Sequence, residues 1–250
     1  MIEFIHCLQA DFIKIKRRPV LWIHFLIPIV GISILLLIFA FSKQSPGSNA
    51  LDCLGAIALS FPTLIAIVCS MIGDQEAEAG NYQQLLTNPS KLRPFLSLSA
   101  LLLLLGLGAV LLAALGFEAG FAVILHHAPV GPEFYLSGAA ILFSSNIFLY
   151  FLHLFLSFRF NKGVSISIGI VESLLSALLI TGLGDGKWVF IPCAWVLHFL
   201  KVFGINSFGG SMPTACGLRT GIVLCVLETL LIFVFSIIWF LSWEGKRAEE

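Results

Sequence analysis

Six separate stretches of this sequence stay apolar for long enough to cross a bilayer, and that feature decides most of what the chain can become. A helix needs about 20 apolar residues to span roughly 30 Å of hydrocarbon. Such stretches run near Val20–Phe41, Leu51–Gly73, Pro94–Leu125, Phe134–Phe158, Val164–Gly182 and Thr220–Trp243. The third is the longest, long enough to tilt or to run past the interface. In lipid every backbone N–H and C=O must be satisfied within the segment, so the expected fold class is an all-α integral membrane protein with about six transmembrane helices. Composition excludes the alternative. With 58% hydrophobic and 11% charged residues, the chain carries less than half the charge of an ordinary soluble domain, about 25%. A globule of this size could not hide that much apolar surface from water. Net charge is zero, which gives no electrostatic handle for nucleic acid, and no nucleic-acid partner is expected.

Residues 1–19 precede the first span. Ile2, Ile5, Leu8, Phe12 and Ile15 recur at helical spacing, and Lys14, Lys16, Arg17 and Arg18 gather at the end before Pro19. This reads as an amphipathic elbow helix suited to an anionic leaflet. The apolar run after it is too long for a signal-peptide core and has no A-x-A site, so it is expected to remain as an anchor. Orientation follows from the basic residues. Lys14, Lys16, Arg17, Arg18, Lys91, Arg93, Arg159, Lys162, Lys246 and Arg247 make one set; Lys43, Lys187, Lys201 and Arg219 make the other. Ten of the fourteen therefore share one side. The positive-inside rule places that side, and both termini, in the cytoplasm. No soluble domain, linker or long repeat interrupts residues 1–250, which read as a single domain.

Catalytic and cofactor signals are weak. The string Gly182-Leu-Gly-Asp-Gly-Lys187-Trp188 is the nearest approach to a phosphate loop. Thr181 stands where the first glycine is required and Trp188 where Ser or Thr is required. No bound cofactor or metal is expected on this chain, and any ATP is hydrolysed by another. His126 and His127 read as an external turn beside Pro129 and Pro132. His153, in the fourth span, reads first as a tucked, hydrogen-bonded residue, with a proton relay as the rarer option. H-E-x-x-H is absent. Cys193 and Cys216 lie in one external segment and are able to pair; Cys7, Cys53, Cys69 and Cys225 read as small apolar residues. Glu118, Glu172 and Glu228 fall within spans, where a charge costs roughly 2.5–3.5 kcal/mol. Glu172 and Glu228 lie near mid-depth. Each is either a hydrogen-bonded packing residue or a contact for cationic cargo. Glu118 belongs to Gly116-Phe-Glu-Ala-Gly120, a spacing that favours close helix contact.

Two connections are more than turns. The external one, residues 183–219, is so apolar (Trp188, Trp195, Phe199, Phe208) that a re-entrant hairpin or interfacial helix is expected. The cytoplasmic one, residues 74–93, begins with Asp74, Glu76 and Glu78 and ends with Lys91 and Arg93. Between them Tyr82, Leu85 and Leu86 offer one turn of apolar face. Acid first and base last complements a helix dipole, and Pro89 ends the helix. Such a helix is placed to press on a soluble partner.

Glu76, Glu78, Gly80, Tyr82, Leu85, Leu86, Pro89 and Arg93, at their spacing after the second span, resemble the coupling region of ABC-2-type exporter permeases. The elbow, six spans and long external segment resemble the same class. Pro192-Cys-Ala-Trp195 is similar to an element of lantibiotic-immunity permeases, which protect a producer from its own bacteriocin. The resemblance implies a sister permease, a separate ABC ATPase using ATP and Mg, an amphipathic peptide substrate and a bacterial cytoplasmic membrane. It also implies that the eight loop residues contact the ATPase. Other hydrophobic cargo, or an intramembrane enzyme, are the competing readings; the latter needs a catalytic pair at matched depth.

Overall fold

The computed structural model describes residues 2–41, 46–126, 130–210 and 217–245. These residues are helical with no strands among them. The helices are α1 (Ile2–Ile15), α2 (Pro19–Ala40), α3 (Pro46–Glu78), the single turn α4 (Gln83–Leu86), α5 (Leu92–Ile124), α6 (Pro132–Arg159), α7 (Lys162–Leu179), α8 (Pro192–Ser207) and α9 (Leu218–Ser242). Six of them, α2, α3, α5, α6, α7 and α9, are long and apolar enough to cross a membrane. Each overlaps one of the apolar stretches read from the sequence. The widest difference is α3, which runs past its apolar stretch at both ends and carries Asp74 and Glu76 on helix.

Small residues decide how the bundle closes. Without water to drive helices together, close packing and interhelical hydrogen bonds do the work. α3 stands at the centre and packs on α7, α6, α8 and α5. At the α3–α7 crossing, a Cβ on Gly169 would lie 2.5 Å from the Cβ of Ala66. There Thr63 Oγ1 donates to the Gly169 carbonyl at 3.1 Å, and its backbone N–H donates to Ser173 Oγ at 3.3 Å. Pro62 precedes Thr63, so the crossing sits where the helix has already lost one backbone donor. The Gly116–Gly120 spacing has its expected effect on packing. Added Cβ atoms would lie 2.7 Å from Ile32 Cδ1 and 2.5 Å from Leu36 Cδ1, so these glycines receive two side chains of α2.

Within the segment expected to be external, α8 is a helix largely covered by protein. After two short 3₁₀ turns, α8 lays Cys193, Trp195 and Val196 against the bundle, all 3% exposed or less. Trp195 Nε1 donates to the Val189 carbonyl at 2.9 Å, and Gly204 admits Leu51 of α3. Its apolarity is thus explained chiefly by the protein's own core. Cys216, the partner weighed for Cys193, lies outside the described residues, as do His127, Pro129, Lys43, Lys246 and Arg247.

By contrast α2 and α9 keep apolar faces outward. Trp22, Phe25 and Leu37 on α2, and Val223, Leu231 and Ile238 on α9, are among many large side chains left exposed. In a bilayer such surface faces lipid or another membrane chain.

Candidate coupling site at the basic end of the bundle

Residues 79–91 join α3 to α5 across one end of the bundle. The turn is made by three successive positive φ angles: Gly80 at 119°, Asn81 at 50° and Tyr82 at 64°. Only glycine takes the first without strain, and asparagine tolerates the second. Tyrosine does not, at a cost of about 1–2 kcal/mol. The Asn81 N–H donates to the Ala77 carbonyl at 2.7 Å and the Tyr82 N–H to the Glu76 carbonyl at 2.9 Å, closing the end of α3.

Burial offsets the strain at Tyr82. Its side chain is 1% exposed and meets Phe158 of α6 edge-on at 5.3 Å and Trp243 at 4.9 Å. Aromatic pairs of this kind contribute about 0.5–1.5 kcal/mol each beyond area. Burial, helped by the charges of Asp74 and Glu76, pushes the Tyr82 hydroxyl up to about 12. Leu85 is also buried and Leu86 half-buried. This corrects the sequence expectation of an outward apolar face. The ring and leucines are the anchor that pins the loop to the bundle. What faces outward is polar: Glu78, Gly80, Asn81, Gln83, Gln84, Thr87 and Pro89 are exposed. The physical reason is that the end of α3, α6 and the residue after α9 leave an aromatic socket that no other side chain fills.

The charges are organised differently from the dipole pattern as well. A one-turn helix has almost no dipole for them to complement. The acidic residues instead bind neighbouring helices. Glu76 is 2% exposed and sits 3.4 Å from Lys14 of α1. Lys14 is also 3.4 Å from Asp11, and Asp11 accepts from Ser97 of α5 at 2.5 Å. A polar seam therefore ties the N-terminal helix to α3 and α5. Outside it, Glu78 lies 3.9 Å from Arg18, Asp74 is 3.2 Å from Lys162, Arg93 pairs with Glu3, and Lys91 Nζ donates to the Trp243 carbonyl at 3.0 Å. Asp11, Lys14, Phe158 and Trp243 were missed as parts of this site. Asp11 was detectable: it falls between Leu8 and Ile15 on the apolar stripe of α1, where an acidic residue needs a partner.

The membrane carboxylates have separate surroundings. Glu172 Oε2 is 2.8 Å from His153 Nε2, and His153 Nδ1 is 3.1 Å from Ser165 Oγ. His153 is fully buried, so both ring nitrogens are occupied by α7. Glu172, His153 and Ser165 thus form one hydrogen-bonded array, and neither His153 nor Ser165 is open to a substrate, both being 0% exposed. Glu228 lies half-buried on α9, whose outward face is apolar. Glu118 lies near Tyr135 on α5. Among the described residues no three metal-binding side chains converge.

Six membrane-long helices, with the loop between the second and third pinned across one end of the bundle, define a multi-pass membrane protein. The chain belongs to the ABC-2 family transporter proteins: residues 7–177 match that family's model. The match runs from α1 through nearly all of α7 and includes residues 79–91. Its role is that of a transport permease subunit, and the family implies an ABC ATPase partner. No curated protein and no solved structure matches the chain.

Proposed function

We propose that this chain is the permease subunit of an ABC exporter in a bacterial cytoplasmic membrane, working with a sister permease. Its cargo is a lantibiotic-type antimicrobial peptide, and its role is producer self-immunity. A separate ATPase hydrolyses ATP with Mg and pushes on residues 74–93 from the cytoplasm. The observation that carries the coupling part is the pinned loop: a polar outer face rigidly joined, through Tyr82, Leu85 and the Lys14–Glu76 pair, to α1, α3, α6 and Trp243. A push on that face reaches four elements at once.

In this reading Glu78, Gly80, Pro89 and Arg93 border the contact, while Glu76, Tyr82, Leu85 and Leu86 transmit it. Glu228 remains the stronger candidate of the two mid-membrane carboxylates for a cationic cargo, because the Glu172 carboxylate already has His153. What argues against the intramembrane-enzyme reading is burial: Glu172, His153 and Ser165 form a carboxylate–imidazole–hydroxyl array, but His153 and Ser165 are both 0% exposed and reach no substrate. The cargo test is protection. Cells carrying the complete transporter should tolerate more of a cationic lantibiotic than cells carrying an ATPase-dead version. Equal tolerance, with the complex assembled, removes the lantibiotic cargo and leaves a permease for another hydrophobic substrate.

A further inference from the structure

α2 packs on α5 and scarcely touches α3. Between the three helices lies a cleft of about 280 Å³, walled by side chains such as Ile27, Leu35, Ile57 and Leu64 and closed at the back by Tyr150. Its α2 wall runs from Ile23 to Leu35, about 18 Å at 1.5 Å per residue. It is a narrow groove open along one side, which admits a linear hydrocarbon chain, whereas a helix from a partner chain is about 10–12 Å across.

The foot of the cleft is charged. His24 lines its lower end, its Nδ1–H donating to the Val20 carbonyl at 2.7 Å. One to two helical turns below are Lys16, Arg17 and Arg18, all exposed, and only Arg18 has an ion pair among the described residues, to Glu78 at 3.9 Å. The interfacial zone of a bilayer is about 5–8 Å thick on each side. With Pro19 placed at the outer edge of that zone, His24, about 7.5 Å along α2, falls where headgroup gives way to hydrocarbon. Basic groups at headgroup depth and a one-chain slot above them match an anionic phospholipid.

We propose that the α2–α3–α5 cleft holds one acyl chain of an anionic phospholipid whose headgroup is bound by Lys16, Arg17 and Arg18. The site is independent of cargo and of the ATPase. Gly31 supplies a clean way to block it. It lines the cleft, and a Cβ there meets nothing within 4 Å, so the position accepts a side chain.

The full chain is reconstituted in nanodiscs containing phosphatidylglycerol or phosphatidylcholine with the same diazirine-bearing acyl chain, and photoadducts are mapped by mass spectrometry. The expected result is labelling of cleft residues on α3 and α5 by phosphatidylglycerol, stronger than by phosphatidylcholine. Lys16→Gln should weaken it about fivefold, since each basic residue near an anionic surface contributes about 1 kcal/mol. Gly31→Phe should abolish cleft labelling while adducts on the outer face of α2 persist; that persistence also reports that the variant is folded. Equal cleft labelling by both lipids overturns the headgroup assignment without requiring any variant. Labelling confined to the outer face of α2, or a disulfide between two copies through Gly31→Cys, overturns the acyl-chain site in favour of bulk lipid or a second copy.

Discussion

Replacing Lys14 by methionine removes the cation that sits between Asp11 and Glu76, 3.4 Å from each. At that distance the attraction to one carboxylate is about 5 kcal/mol at an effective dielectric of 20, and about 1 kcal/mol in water. Lys14 is about one-third exposed while both acids are nearly covered, so the effective value lies between those limits. Breaking a buried pair from one side also leaves the other charge uncompensated. A loss of about 2–3 kcal/mol follows for Lys14→Met, or a fall of about 5–8 °C in melting temperature for a chain of this length. Glu76→Gln in the same background relieves the stranded charge, and the double variant should recover at least half the loss. Intrinsic tryptophan fluorescence during heating in mild detergent gives the melting temperatures, and maleimide labelling of Cys7 reports whether α1 has lifted. Equal melting temperatures for the single and double variants, with unchanged Cys7 labelling, would refute the claim that this seam latches α1 to α3.

Gly120→Leu should drive α2 away from α5, because even a Cβ there lies 2.5 Å from Leu36; about 1–3 kcal/mol of overpacking cost is expected, seen as a lower melting temperature. Glu172→Gln keeps a hydrogen-bonding partner for His153, whereas Glu172→Leu does not. The first should transport and melt normally, and the second should melt lower by about 1–3 kcal/mol, so a normally folded but inactive Glu172→Gln would move Glu172 to the cargo path. His198 stacks on Trp188 at 4.5 Å and hydrogen-bonds the Leu179 carbonyl at 3.0 Å, and burial pushes its pKa below the ordinary value near 6.5. The Leu179 carbonyl and Asp185 oppose that shift and Lys201 adds to it. The unfolded state therefore binds more protons, and the stability His198 contributes is present above about pH 6.5 and lost as pH falls toward the depressed value. Trp188 emission should change reversibly on acidification below about pH 6.5, and His198→Phe should remove the change.

The spans were legible because the bilayer imposes a length, and length survives in sequence. Val20–Phe41 and Thr220–Trp243 match α2 and α9 within two residues at each end, since nothing but hydrophobicity sets them. The apolar run of α3 reads shorter than the helix because Asp74, Gln75 and Glu76 break it, although the partners of Asp74 and Glu76 on α7 and α1 let the helix continue. The loop is legible as a segment, but the direction of its apolar face is not: the local pattern of Tyr82, Leu85 and Leu86 says which residues share a face, not which way the face points. That direction is set by Phe158 and Trp243, 76 and 161 positions away, and by three positive φ angles that only Gly80 announces. The pairing of His153 with Glu172 was likewise invisible, because it depends on how α6 and α7 cross. Residues 183–219 read as more than coil, and α8 among them is a helix, apolar because it covers α3 and α6.

Transport by ATP hydrolysed elsewhere stands or falls on whether the polar face of residues 78–89 is where an ATPase docks. The direct measurement is purification of the tagged chain from its native membrane in mild detergent, alongside a variant carrying Gln83→Lys and Gln84→Lys. Both glutamines are exposed, so the variant should fold and melt as the parent does. The account predicts that a soluble P-loop ATPase accompanies the parent and is lost from the variant. An ATPase retained equally by both, or a parent that repeatedly purifies without one while a known ABC complex stays intact under the same conditions, would contradict it.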